Sequence, residues 1–534
     1  MTRFEQRRRL LGSALSAPVL TSLGATLVAP LIASVSSSAH GASTDSVPCA
    51  PTRKPSPIPA AQIDNAIAQL DQLATAQMAR TGVPGLAIAV VRGSRTVYAK
   101  GFGTREIGSG QPVDADTVFL LASLSKPLGA SVVAQQIGQG SVTWDTTVRK
   151  HLPWFTLSDA EASEAVTIGD LYAHRSGLPD HAGDRLEDMG YGQTEILERL
   201  RYLPSHGFRN SYAYTNFGLT AAAISVAAAA GKDWAALSEE AIYQPLGMTS
   251  TSSRHADFAA RANRAAGHVK RDGRWVVGPG NMPDAQAPAG GASASVNDMA
   301  KWLAMMLGQG MFNGKRIVDA AALNAAVSQQ VQSAPPGAAH PASYYGYGFN
   351  VGVTEAGRPS YSHSGAFAVG AATNFLVVPS TGVAIVALTN GFPMGVPETI
   401  TAQFFDLVQF GSIKRDWATL YGNALAPMMK PEGSLVGAAR PASPLPPRAL
   451  STYTGTYRND YFGPLKVSEQ NGALLLAIGP VPMTLPLRHW DGDVFTFTLY
   501  NENASPGTIS KASFLSDRVT LEYYNEDGMG TFVR

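Results

Sequence analysis

One cysteine in 534 residues, Cys49, leaves no internal disulfide framework, so packing alone must hold the fold. Charge is scarce as well: 15% of residues are Asp, Glu, Lys or Arg, and 41 basic against 40 acidic side chains cancel to a formal +1. That balance provides no basic stripe for nucleic acid and calls for no anionic surface. No His-Glu-x-x-His spacing and no His/Cys cluster occurs, so neither a metal nor another cofactor is implied. Gly-x-Ser-x-Gly is missing too, which argues against an α/β-hydrolase elbow, and Gly308 to Lys315 has the wrong spacing for a phosphate-binding loop. Beyond the first forty residues no window is apolar enough to span a bilayer.

What is present divides along the chain. Arg7-Arg8-Arg9-Leu10-Leu11 precedes an Ala/Ser/Gly/Leu-rich stretch ending near Ser38-Ala39-His40-Gly41-Ala42. Residues 1–42 thus resemble a twin-arginine export signal, which predicts a periplasmic or secreted protein with no stable membrane insertion after cleavage. Residues 43–60, with Pro48, Pro51, Pro55, Pro57 and Pro59, read as a stiff linker. Pro48 directly before Cys49 fits a lipid-anchor cysteine badly.

The length calls for two or three domains. Ile63, Ile67, Leu70 and Leu73 recur at helical spacing, and Gly82-Val83-Pro84-Gly85 stops them. Leu86–Val91 and Thr96–Phe102 then read as a hairpin, as do residues 266–270 with 274–277, and Ala372–Val378 with Val383–Leu388. A helical run over 398–410 follows the last pair, and Ala-rich helical segments (193–203, 217–230, 296–308) lie between the strands. The expected fold is α+β over residues 61–423: one antiparallel sheet assembled from both ends of the region, flanked by helices, with a helical subdomain inserted. Residues 424–448 are Pro- and Ala-rich and read as a linker. Residues 449–534 carry short alternating runs and turn signals, which predict a small all-β barrel or sandwich.

The chemistry-bearing residues begin with Ser123-Leu124-Ser125-Lys126, where a buried run breaks into a helix. One helical turn places Lys126 within reach of the Ser123 hydroxyl, and a desolvated amine can serve as its base. Tyr214-Thr215-Asn216 begins 91 residues later, just before a helix. Tyr214 can relay a proton, and the Asn216 amide can orient either the substrate or the lysine. His363-Ser364-Gly365-Ala366 follows 240 residues after Ser123. A glycine there admits a substrate carbonyl, and the N–H groups of Ala366 and Ser123 can form an oxyanion hole. Of the other histidines, His174 reads as a structural hydrogen-bonding residue, while His181, His206 and His340 either line a cleft or face water.

The order Ser-x-x-Lys, Tyr-x-Asn, His-x-Gly resembles the serine β-lactamase and penicillin-binding superfamily, nearest its class C, D-alanyl-D-alanine carboxypeptidase and esterase branch. His174-Arg175-Ser176-Gly177-Leu178-Pro179, Tyr243-Gln244-Pro245-Leu246-Gly247-Met248-Thr249 and residues 292–300 carry the same resemblance between the motifs. It implies an acyl-enzyme on Ser123, with Lys126 and Tyr214 sharing the base and acid roles, and Asn216, His363, Gly365 and Ala366 contacting substrate. Where β-lactamases place Lys-Thr-Gly, this chain has His363-Ser364-Gly365. A fixed ammonium is thereby replaced by an imidazole, which favours peptide, amide or ester substrates over β-lactams, and predicts an acidic limb of the rate profile set by His363 near about 6.5, shifted by burial. Tyr453-Thr454-Gly455-Thr456-Tyr457 resembles the start of a lipocalin-like module. The leading expectation is a hydrolase of peptide amides with a small-molecule or peptide substrate. A carboxylesterase, a β-lactamase and a penicillin-recognising binding or sensor protein are the alternatives, and the sequence leaves the oligomeric state open.

Overall fold

The computed structural model describes residues 57–336 and 342–534. The export-signal segment and Cys49 lie outside the described residues, as does His340.

The helical spacing seen from Ile63 resolves into two helices, Ala60–Ala68 and Leu70–Thr81, the second ended by Gly82 in the left-handed conformation (φ 68°). An eight-stranded antiparallel sheet follows. From one edge its strands are Arg95–Gly103, Gly85–Arg92, Val383–Thr389, Ala371–Val378, Pro359–Phe367, Asn350–Val353, Ser343–Tyr345 and Val331–Ala334. Leu86 pairs with Thr389 and Val91 with Ala384, so the two ends of the region close the sheet, as expected.

Alternation along these strands divides the molecule into two cores. Ala87, Ala89 and Val91 face one core together with Phe375, Val377, Val386 and Leu388; Leu86, Ile88 and Val90 face the other with Val383, Ile385 and Ala387. Because both faces are covered, the central strands read as unbroken apolar runs. The helices at 60–81 and Val396–Phe410 cover one face, and Val296–Leu307 packs on the other, with Trp302 edge-on to Phe375 at 5.0 Å. The inserted helical subdomain lies on the second face. Its central helices, Ser125–Gly138 and Asn216–Ala229, are buried almost along their whole lengths, and their Gly, Ala and Ser positions let them approach closely.

The C-terminal part is a closed barrel of eight antiparallel strands in sequence order, from Gly455–Asn459 to Thr531–Val533, sealed by Arg458 pairing with Val533. The rings of Tyr453, Tyr457, Phe495 and Phe514 pack against one another inside it. Between the two parts, Trp417–Leu425 is helical, and the chain beyond it runs along the barrel. Ile509 N–H donates to Glu432 O (2.9 Å), and Leu445 N–H donates to Asp491 (2.7 Å).

Candidate active site

Ser123 sits in a single tight turn, Ala122–Leu124, immediately before the helix Ser125–Gly138. Ala122 has φ 48°, a left-handed conformation that costs a residue with a Cβ about 1–2 kcal/mol. Local bonds hold this turn in place. Leu121 N–H donates to Ala292 O (2.9 Å), and the Thr373 hydroxyl donates to Leu121 O (2.8 Å). The Ser125 hydroxyl donates to Ala122 O (2.7 Å) and accepts from Ala292 N–H (2.9 Å).

The three residues expected to handle the proton meet here. Lys126 Nζ is 3.0 Å from Ser123 Oγ, and the Tyr214 hydroxyl donates to the same oxygen at 2.9 Å. Lys126 Nζ also donates to Asn216 Oδ1 (2.7 Å) and Ala289 O (3.0 Å), and lies 4.5 Å from the centre of the Tyr214 ring. Burial lowers the amine to about 7, against the opposing pull of Asp184. Burial drives the Tyr214 phenol the other way, above its ordinary value. Of the two roles considered for Asn216, the structure shows the one toward lysine. Its carbonyl faces Lys126 and its amide donates to Asp184 Oδ2 at 3.0 Å.

Gly365 lies on the strand Pro359–Phe367 directly against this turn. A Cβ there would come within 2.3 Å of Leu121 O, 2.4 Å of Thr373 Oγ1 and 2.9 Å of Ser123 N. Ala366 follows it, half-buried.

His363, expected to contact substrate and to set the acidic limb of the rate profile, is 1% exposed and engaged at both ring nitrogens. Tyr345 OH is 2.8 Å from Nε2, and Ser364 O is 2.6 Å from Nδ1. Burial, reinforced by Lys126, depresses it to about 3. Burial thus favours the neutral imidazole, whose two nitrogens both have partners. It braces the aromatic wall formed with Tyr345 and Tyr214. His174 Nδ1 accepts from Thr215 N–H (3.2 Å), which pins the segment carrying Tyr214.

Sequence reasoning did not single out Asp184, Ser125, Ala289 or Thr373. Asp184, 3% exposed, also pairs with His181 Nδ1 at 2.7 Å, so His181, Asp184, Asn216 and Lys126 form one chain of hydrogen bonds ending at Ser123. Asp184 opens the short helix Asp184–Asp188, outside all three motifs, so no residue pattern flags it. Ala289 contributes a backbone oxygen, which no residue-type motif can announce.

The barrel reaches this region. Gly183 N–H donates to Tyr461 OH (3.0 Å), Tyr191 OH donates to Phe462 O (2.9 Å), and Arg185 pairs with Glu526 (3.1 Å) above the Tyr523 ring. Glu502 accepts from the N–H groups of Ala368 (2.8 Å) and Val369 (3.2 Å), just past Ala366.

Comparison with known proteins agrees with this architecture. The β-lactamase family matches residues 70–407, and a domain of unknown function, DUF3471, matches residues 439–531. Penicillin-binding protein 4 of Amycolatopsis lactamdurans is 30% identical over 324 residues, covering 58% of this chain and 81% of that protein. The D-alanyl-D-alanine-carboxypeptidase/endopeptidase AmpH of Escherichia coli (strain K12) is 24% identical over 244 residues, covering 45% of this chain and 61% of that one. The octameric penicillin-binding protein homologue from Pyrococcus abyssi shares the fold, with a TM-score of 0.56 and 19% identity over 88% of this chain and 100% of that one. With the family match spanning more than half of its length, and the Ser-x-x-Lys turn, Tyr214 and the glycine-bearing strand assembled around one hydroxyl, the chain belongs to the β-lactamase/penicillin-binding protein family of serine hydrolases.

Proposed function

We propose that this protein is a serine hydrolase that forms an acyl-enzyme on Ser123 and cleaves amide bonds of peptides. The observation that carries this reading is a hydroxyl held between a buried amine at 3.0 Å and a phenol at 2.9 Å. A neutral amine has two N–H bonds and one lone pair. The N–H bonds serve Asn216 Oδ1 and Ala289 O, which leaves the lone pair facing Ser123 Oγ. Lys126 is thus the base. Tyr214, still protonated, donates to the serine oxygen and hands a proton on.

In the forward step Lys126 takes the hydroxyl proton as Ser123 Oγ attacks the carbonyl carbon. Negative charge gathers on the carbonyl oxygen, where the N–H groups of Ser123 and Ala366 receive it. The C–N bond breaks, the departing nitrogen takes the proton by way of Tyr214, and water then repeats the sequence to release the acid. Peptides are favoured because no fixed cation stands at position 363, and because a relative is a carboxypeptidase/endopeptidase. The arginine-bearing leader supports a periplasmic or secreted location.

Mass spectrometry after incubation with D- and L-peptides, esters and penicillins should find the adduct on Ser123. Ser123→Ala should abolish turnover, and Ser123→Ala/Lys126→Ala should be little worse than either single variant, because the pair acts as a unit. Activity of Ser123→Ala within about tenfold of the parent would overturn the reading.

A further inference from the structure

On the sheet face away from Ser123 lies a cavity of about 320 Å³, between the strands Asn350–Val353 and Pro359–Phe367 and the helices Val396–Phe410 and Trp417–Leu425. The reaction makes no use of it. Its lining includes three carboxyl side chains, Glu355, Glu398 and Asp406, and no basic one. Two of the three are already engaged: Glu355 pairs with Arg415, and Asp406 accepts from the Trp417 indole (2.7 Å) and Lys414 N–H (2.8 Å).

Glu398 is different. It is 4% exposed; Ser364 hydrogen-bonds its carboxyl, yet Oε2 has no partner. Burial raises this carboxyl to about 7, and a cation with hydrogen to donate would hold it ionised. Aromatic surface stands close by, with Trp417 stacked on Tyr421 at 5.8 Å and Phe405 beside them in the lining. Carboxylate and ring faces together are the chemistry that selects an organic ammonium ion. An anion is repelled by this lining, and no three His, Cys, Asp or Glu side chains among the described residues converge as metal ligands.

We propose that this cavity is a second binding site, for a small primary amine whose ammonium pairs with the Glu398 carboxyl and whose apolar body lies against Trp417 and Tyr421. The volume is that of a small-ligand pocket. The site is also joined to the catalytic strand. Ser364 points to this face while its neighbour Gly365 abuts Ser123, and Asn374 donates to Ser364 Oγ (2.8 Å) while accepting from Thr401 (2.6 Å).

The test is calorimetric titration and thermal shift of the full chain with 2-phenylethylamine, using 2-phenylethanol as the uncharged control. The amine should bind at least about tenfold more tightly than the alcohol, the effect of one charge-assisted hydrogen bond, and Glu398→Gln should erase that preference. Ala402→Phe, one turn from Glu398 on the same helix and on the far side of the sheet from Ser123, should fill the cavity, abolish binding of both compounds and guard against a Gln variant that folds poorly. Equal binding of amine and alcohol, binding that survives Ala402→Phe, or no binding at all would overturn the proposal.

Discussion

Lys126 is where residue-level chemistry is most sharply defined, because its amine has one free direction and a value near 7. Only the neutral form can take the serine proton, so activity should rise with pH through about 7 and the acidic limb of kcat/KM should report this amine. Asp184 stabilises the ammonium and so raises that limb. Asp184→Asn should move it to lower pH while weakening the grip on Asn216; a limb that stays in place would show that Asp184 does not act on Lys126. His363, neutral from about pH 3 upward, should leave the limb unmoved in His363→Gln, whatever that change does to kcat. At this scale the one-turn spacing of Ser123 and Lys126 was legible, because helix geometry is local. Asp184 was not: its role depends on a hydrogen bond to Asn216, 32 residues away.

At the scale of elements, the turn at Ser123 and the strand Pro359–Phe367 act as two halves of a clamp. Gly365 is what lets them close, since a Cβ would meet two backbone atoms of the turn and the Thr373 hydroxyl that anchors it. Gly365→Ala should therefore push the strand off Ser123 and lower kcat/KM by roughly 10²-fold, the cost of a misplacement on the order of 1 Å, with the fold retained. Circular dichroism and steady-state kinetics check both halves of that statement, and kinetics unchanged within a few-fold would show that the contact is slack. The strands themselves were legible as apolar runs because both sheet faces are covered. The glycine was legible as a strand feature, but its partner Leu121 O was not, since it lies 244 residues earlier and the contact is through backbone.

For the whole molecule, the barrel and the hydrolase region meet on the helix Asp184–Asp188, which also carries the carboxylate behind Asn216. Buried acids collect at this seam. Glu187 bonds to Gln286 and is raised by burial to about 8; Asp188, accepting from Asn503 of the barrel at 2.9 Å, is raised to about 7; Glu502 is also raised. The folded state therefore holds protons that the unfolded chain has released above about pH 4. The stability they contribute is full below that value and is lost as pH climbs through the folded values. The thermal midpoint should fall between about pH 5 and 7, and Glu187→Gln or Asp188→Asn should flatten the slope. Scanning calorimetry across that window checks this, and an unaltered slope in both variants would place the cause elsewhere.

Sequence alone determined what is set by short-range geometry and composition: the helix after Ser123, the hairpins, the apolar central strands, the all-β C-terminal part and the order of the three motifs. Periodicity and one-turn spacing act within a few residues, so no distant partner is needed to see them. Tertiary structure decided what depends on surroundings. It chose a closed barrel over a sandwich, turned Asn216 toward Lys126, brought Asp184 behind it and gave both nitrogens of His363 a partner. Burial and hydrogen-bond partners set each of those outcomes, and both come from segments far apart in the chain. An imidazole reads the same in a sequence whether it is free or engaged at both nitrogens; only burial and the bonds to Tyr345 and Ser364 set its surroundings.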